Sequence, residues 1–381
     1  MGPGAVARLW LSFSDPVSLE MNYEYEKYKT SSSNLWVTLE KYGVAIMPSV
    51  LSEDECDEMV DGMWSTLGTL TEKFVAGDGG GQIQRDDETT WCSLYELIPQ
   101  HSMLIQHWGI GHAQYLWNLR QNPKILKIWA DFWEVEPNEL LVSFDAVSYH
   151  LPPETTGRGW FVPRVDRPYG WMHTDQSHSP GREGFECVQS WVTGLDVNDG
   201  DATITILEGS HLYHAEFARE FGKTDKGDWG PLKSEEEYNF YIKGSPTRPP
   251  CPRRCIKCPK GSIVFWDSRT IHAGQEPLKT RAEPNIRCVA YLCYSPRYLA
   301  TNAALKKKLK HFEERRTTNH WPHRPHVFPI KPGGRWVPKD SLPNVVALPK
   351  PNISSIGYWL AGWVGDLPEK DDEGYARIDF Y

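Results

Sequence analysis

Between residues 140 and 294, short apolar runs alternate with breaks rich in Gly, Asp, Asn and Pro. The runs are Leu140-Leu-Val-Ser-Phe-Asp-Ala-Val-Ser-Tyr149, Cys187-Val-Gln-Ser-Trp-Val-Thr-Gly-Leu195, Ala202-Thr-Ile-Thr-Ile-Leu207, Gly261-Ser-Ile-Val-Phe-Trp266 and Ile286-Arg-Cys-Val-Ala-Tyr-Leu-Cys-Tyr294. Their β-branched and aromatic content predicts strands. Repeated short strands with turn breaks such as Asp196-Val-Asn-Asp-Gly-Asp201 predict a β-sandwich or barrel. Helical patterns lie ahead of them. Residues 51–70 predict a helix with Ser52 as N-cap and Glu53, Asp54 and Glu55 in its first turn. Residues 110–117 and 123–133 predict two more. After Pro296, residues 302–316 predict a basic helix, followed by a Pro-rich coil and an acidic end. Residues 1–34 read as a polar, aromatic leader.

Composition narrows this picture. At 381 residues the chain can bury a large core as one domain with appendages. A net charge of −9 argues against an electrostatic binder of nucleic acid. No apolar stretch approaches a membrane span. The opening Met1-Gly-Pro-Gly-Ala-Val-Ala-Arg-Leu-Trp10 has Arg8 in its short apolar run and no cleavage pattern, so no signal peptide is expected. The expected location is intracellular and cytoplasmic, with the eight cysteines reduced.

The candidate chemistry sits in Trp171-Met-His-Thr-Asp-Gln-Ser177 and Phe265-Trp-Asp-Ser-Arg-Thr-Ile-His272. In a strand, residues two apart share a face, so His173 and Asp175 can grip one ion while Thr174 points away. His272, at the end of a second strand, can supply a third ligand. Two histidines and one carboxylate on one face of Fe(II) leave the other face open for a cosubstrate and dioxygen.

The order of segments resembles the phytanoyl-CoA dioxygenase family of Fe(II)/2-oxoglutarate oxygenases. The resemblance runs over residues 35–298. It is carried by His173-Thr-Asp175, Trp191, the acidic turn 196–201, Gly209-Ser-His211, Lys260-Gly261, His272 and Arg287. It implies a double-stranded β-helix (jelly-roll, cupin-like) core with flanking helices, within a mainly β, α+β chain. A leader (1–34) would precede it, and a C-terminal basic helix and Pro-rich extension (299–381) would pack on it. It also implies His173, Asp175 and His272 as iron ligands, and Trp191 as lining the cosubstrate pocket, although ordinary core packing is the alternative for Trp191. The far carboxylate of 2-oxoglutarate suits the planar fork of an arginine. Arg287 opens a strand, whereas Arg281 lies in a proline-bounded polar loop. A strand aims a side chain better, so Arg287 is expected to hold 2-oxoglutarate and Arg281 to be a solvated loop charge. Glu208 replaces the family's proline before Gly-Ser-His, and Gly274 replaces a serine that helps hold the cosubstrate. Asp175 fills the position that related halogenases leave open, so hydroxylation or desaturation of a small-molecule metabolite is expected.

Other features have two readings. Cys251, Cys255 and Cys258 could form a structural zinc site or a loop of reduced thiols. Lys306-Lys-Lys-Leu-Lys310 could touch phosphates, but Glu313 and Glu314 favour a solvated helix face. His211 and His214 are expected to be structural. Residues 77–81 read as a mobile glycine-rich loop, 151–169 as a lid, and 217–243 as a charged excursion facing substrate. The competing functions are a nucleobase or protein-side-chain hydroxylase, and a zinc-dependent nucleic-acid-binding protein with a vestigial iron site.

Overall fold

The computed structural model describes residues 21–75, 80–164, 166–333 and 342–365. Its strands are β1 (Tyr23–Glu24), β2 (Val44–Met47), β3 (Leu104–Ile105), β4 (Leu140–Val142), β5 (Val147–His150), β6 (His173–Thr174) and β7 (Val188–Thr193). They continue with β8 (Thr203–Leu207), β9 (Gly230–Pro231), β10 (Arg253–Ile256), β11 (Ile263–Asp267), β12 (His272–Gln275), β13 (Arg287–Tyr291) and β14 (Tyr294–Pro296). One sheet has the order β2-β11-β7-β13-β5-β3, and a second has β1-β10-β8-β12-β6-β9. From β5 to β8 the chain switches sheet at every strand, and it does so again from β10 to β13. Pairing is antiparallel except between β1 and β10.

Strand alternation divides the side chains between two cores. On β7, β11 and β13, Val188, Val192, Ile263, Phe265, Cys288 and Ala290 face outward. They pack with Met63, Leu67, Leu116, Ile125 and Trp129 of helices α2 (Glu53–Leu70), α3 (Gln114–Arg120) and α4 (Pro123–Trp133), which follow α1 (Leu35–Tyr42). Trp191, Val264, Trp266 and Val289 point the other way, into a core shared with Ile204 and Ile206 of the second sheet. The interval between the sheets therefore holds the inward residues of both.

The helix signals operate as sequence chemistry predicts. Ser52 accepts from Glu55 N at 3.3 Å, and the Glu55 side chain accepts from Ser52 N at 2.7 Å, closing a capping box on α2. Asn122 caps α4, with Pro123 in the first turn. The expected helix over 110–117 splits into a 3-10 turn, Ile110–His112, and α3. The expected strand over 140–149 splits into β4 and β5. At the break, Thr318 donates its N–H to Phe144 O and accepts from Phe144 N through Oγ1, at 2.9 and 3.1 Å. A distant piece of chain thus replaces sheet pairing there.

The described part of the N-terminal segment is no free leader. β1 adds to the edge of the second sheet, and Lys27 and Tyr28 both bond the carboxylate of Glu208 at 2.5 Å. Residues 1–20, most of the glycine-rich stretch (76–79) and the acidic end (366–381) lie outside the described residues.

Candidate metal centre and its cavity

β6 and β12 pair antiparallel with His173 directly opposite His272. Asp175 lies just past the end of β6, where its N–H donates to Ser268 O at 2.9 Å. Same-face spacing is therefore only part of the explanation, because the strand stops one residue before the carboxylate. Asp175 Oδ1 lies 3.6 Å from His173 Nε2, and Oδ2 lies 3.3 Å from His272 Nε2. The three ligand atoms lie within 4.8 Å of one another, and this is the only such His/Cys/Asp/Glu group among the described residues.

Their surroundings suit a metal. His173 Nδ1 pairs with Trp171 O at 3.0 Å and His272 Nδ1 with Thr270 O at 2.9 Å. Each ring donates its Nδ1 proton to a carbonyl, which leaves the Nε2 lone pair facing Asp175. Gln189 donates to Asp175 Oδ2 at 3.0 Å and fixes the carboxylate from behind. Burial alone would raise the Asp175 carboxyl, but the neighbouring His173 and His320 and the His272 contact outweigh it and hold it well below the usual carboxylate range. Burial lowers His272, favouring the neutral ligand form. Two imidazoles and one carboxylate on one side form the donor set of a non-haem ferrous ion.

These residues line a cavity of about 930 Å³. Arg287 reaches it from the first residue of β13. Its Nε donates to Ser148 Oγ at 2.8 Å and its Nη1 to Ala202 O at 2.9 Å. Tyr291, at the other end of the same strand, lines the cavity too. No carboxylate makes an ion pair with Arg287 among the described residues. Burial lowers its pKa, against the opposing pull of Tyr291, Cys258 and Asp201.

Arg281 differs from the expected solvated loop charge. Its side chain is 2% exposed and is held by Glu154 at 2.6 Å and Asp201 at 3.2 Å. Trp191 also differs from expectation. It is fully buried, does not line the cavity, and lies under the Arg287 guanidinium, 5.4 Å from ring centroid to cation. Gln189, two residues earlier on the same face of β7, lines the cavity instead. At Gly274, an added Cβ would lie 3.2 Å from Trp171 Cζ2, so Trp171 crowds the place of the family's serine.

The lid expected over 151–169 does not form: none of its described residues lines the cavity. The wall comes from residues 100–107, from 226–229 within the predicted excursion, and from 319–333 in the C-terminal extension. His320 is the residue sequence reasoning missed most clearly. It is 9% exposed, lines the cavity, and lies within electrostatic reach of the Asp175 carboxylate. Asp145, in the break between β4 and β5, lines it too. Neither has a local motif; only long-range folding brings them here.

The candidate zinc site does not assemble. Cys251 and Cys258 belong to different apolar clusters, and Cys255 stands within β10. Burial pushes the three thiols up to about 12, 11 and 12, against the thiolate form. His211 bonds Glu40 O and His214 bonds Gln176 O, at 2.9 and 3.2 Å, away from the metal corner.

No family model matches the chain. The Ava biosynthesis cluster protein O of Aspergillus versicolor is 28% identical over 241 residues, covering 62% of this chain and 72% of that protein. A Dictyostelium discoideum protein named for phytanoyl-CoA dioxygenase is 20% identical over 267 residues, covering 63% and 69%. Among solved structures, the epimerase SnoN, in complex with Fe3+, alpha ketoglutarate and nogalamycin RO, matches at TM-score 0.42 and 19% identity, covering 70% of this chain and 83% of that one. In sequence the chain is thus similar to a protein named for phytanoyl-CoA dioxygenase, and it carries a His-Asp-His corner that could hold a metal ion.

Proposed function

We propose that the protein is an Fe(II)- and 2-oxoglutarate-dependent oxygenase that hydroxylates, or desaturates, a small molecule. One observation carries this reading: a convergent His173-Asp175-His272 corner shares a cavity with Arg287, a buried cation lacking a carboxylate partner. When bound, iron with 2-oxoglutarate supplies oxidation of a C–H bond by dioxygen, with release of succinate and CO₂. The chain supplies position. His173, Asp175 and His272 hold the metal, with Gln189 and the carbonyls of Trp171 and Thr270 orienting them. Arg287 and the Tyr291 hydroxyl receive the far carboxylate of 2-oxoglutarate, and Tyr291 takes over the contact that Gly274 cannot make. Trp191 supports Arg287 from behind. The buried walls exclude water from the reacting atoms.

The strand order, switching sheet at nearly every strand, supports a double-stranded β-helix core within residues 35–298. The segment from 299 onward completes its cavity rather than standing apart. Cys56, Cys187, Cys251, Cys255, Cys258, Cys288 and Cys293 are free thiols, which suits a reducing, cytoplasmic compartment. No helix among the described residues is long and apolar enough to cross a membrane.

The test is release of succinate from 2-oxoglutarate by the iron-loaded protein across a metabolite panel. Dependence on Fe(II), lost in His272→Ala, supports the reading. Equal release by His272→Ala would sink it.

A further inference from the structure

We propose that the outer part of this cavity is built for an uncharged, ring-bearing molecule carrying hydroxyl or amide groups, and that an acyl-CoA is not its substrate. The inference rests on the oxygenase reading above and names the substrate class for the same site.

Charge is the first argument. A CoA ester carries phosphate groups, which need fixed cations, and arginine holds phosphate best through paired parallel bonds. Among the described lining residues, the cations are Arg287, committed to the floor, and the exposed Lys226. Asp228, beside Lys226 at the mouth, is already held by Arg182 at 2.5 Å and faces Arg324 at 3.6 Å. Outside the metal corner and Arg287, an anionic ligand would meet only the exposed Lys226 among the described lining residues, and a cationic one only Asp228, already paired, and the buried Asp145, so an ionised ligand gives up hydration here for little counter-charge.

Hydrogen-bonding capacity is the second. The wall presents the amides of Gln100, Gln106 and Asn319 and the imidazoles of His101, His107 and His326. Each is both a donor and an acceptor when neutral. His107 Nδ1 is engaged with Pro329 O at 2.8 Å, so its Nε2 is left as an acceptor. Such a wall matches hydroxyl and amide groups.

The third argument is ring surface. Trp171 is already stacked with His101 at 3.7 Å and with the metal-corner His173 at 5.1 Å. Trp229 has its indole 58% exposed, yet it lies only 6.0 Å from the His173 ring. That free indole beside the reacting corner is a platform for a flat ring or for the C–H face of a saturated one.

The wall is also held in unusual backbone geometry. Of the seven non-glycine residues with positive φ among the described residues, Ile98, His101, Ser102 and Trp108 fall within this one segment. Left-handed backbone at non-glycine positions persists where the surroundings enforce it, and it clusters at ligand sites. Here the enforcement comes from the C-terminal segment, through His107 to Pro329 O and Trp108 N to Ile330 O at 2.7 Å.

The experiment uses the full chain with Fe(II) and 2-oxoglutarate under anaerobic conditions. The visible absorption band of an iron-bound 2-oxo acid is recorded first. Calorimetry then compares three near-isosteric probes: neutral N-acetyltryptophanamide, anionic N-acetyltryptophan and cationic tryptophanamide, with palmitoyl-CoA as a fourth. The neutral probe is expected to bind at least about tenfold tighter than each of the others. The paired change His107→Ala with His326→Ala should erase most of that margin and leave the absorption band in place. Palmitoyl-CoA or either charged probe binding as tightly as the neutral one overturns the proposal. So does a strong band with no binding by any probe. Absence of the band overturns the oxygenase reading, and this inference falls with it.

Discussion

The floor of the cavity and its outer wall are made of different kinds of chain. The floor is strand: His272 starts β12, His173 stands opposite it on β6, and Arg287 starts β13. Ladder pairing fixes these residues, and each acts in a role its type alone suggests. The wall comes from three remote segments, coil apart from the short β3, which hold amide and imidazole side chains in positions that no local rule dictates. Arg287 and Arg281 repeat the contrast within a few residues. Both side chains are buried, but the strand residue has no carboxylate partner among the described residues, while the loop residue pairs with Glu154 and Asp201. Fixed geometry makes a side chain available, and a loop must use its charges to hold itself together.

The sharpest way to break the comparison is at the floor. Replacing His173, Asp175 or His272 by Ala should cut turnover by more than about a hundredfold, exceeding the losses seen when only a supporting residue is changed. Bound iron by metal analysis should fall in parallel, with far-UV circular dichroism unchanged. Retained iron would show that the triad is not the metal site.

The two arginines should separate by readout. Arg287→Ala should weaken 2-oxoglutarate by about 2–5 kcal/mol, measured as its apparent affinity. Arg281→Ala should instead lower folding stability by about 3 kcal/mol, because it leaves Glu154 and Asp201 without their partner. Denaturant midpoints would check the second effect. A loss of cosubstrate affinity confined to Arg281→Ala would reverse the assignment.

Gln189→Ala should loosen iron by about ten- to a hundredfold, since it removes the donor that orients Asp175. The thiols should matter less to chemistry. Cys251, Cys255 and Cys258 changed together to Ser should lower the unfolding midpoint, as hydroxyls replace buried thiols, without changing iron content or turnover per folded molecule.

The smallest effect concerns pH. Burial pushes the Glu276 carboxyl, in the loop between β12 and β13, up to about 7. An acid whose folded pKa is raised contributes full stability below its unfolded pKa near 4.3 and loses it as pH climbs through the folded value. Glu276→Gln should therefore raise the thermal midpoint relative to the unmodified protein at pH 8, and by less at pH 5. An equal difference at both pH values would argue against the shift.

The floor was legible because its chemistry is written locally. A His-X-Asp pair, a histidine ending an apolar strand, and an arginine opening another each carry a signal within a few residues. The capping box of Ser52 and Glu55 was legible for the same reason. Trp191 was half legible: the sequence placed it on the inner face but could not say that Arg287 would lie over it. Asp145 and His320 were not legible. Asp145 faces the cavity because Thr318 breaks a strand that apolar patterning alone would continue. His320 is there because residues 317–328 fold back on themselves, with Asn319 N bonded to His326 O and Phe328 N to Thr317 O, both at 2.9 Å. Asp145 depends on a contact spanning 174 residues, and the turn that carries His320 is tied to Gly111 and His107 by contacts spanning 206 and 222 residues.

The C-terminal turn that carries His320 also sets an order of events. Its anchors, Thr317 on Gly111 and Pro329 on His107, join residues 206 and 222 positions apart. Such contacts close late, since the chain must already be ordered before the loop between them is worth closing. The metal corner is complete in sequence well before this turn has been synthesised. A nascent or C-terminally clipped chain would thus hold the His173-Asp175-His272 corner while still lacking one of the three segments that wall its cavity.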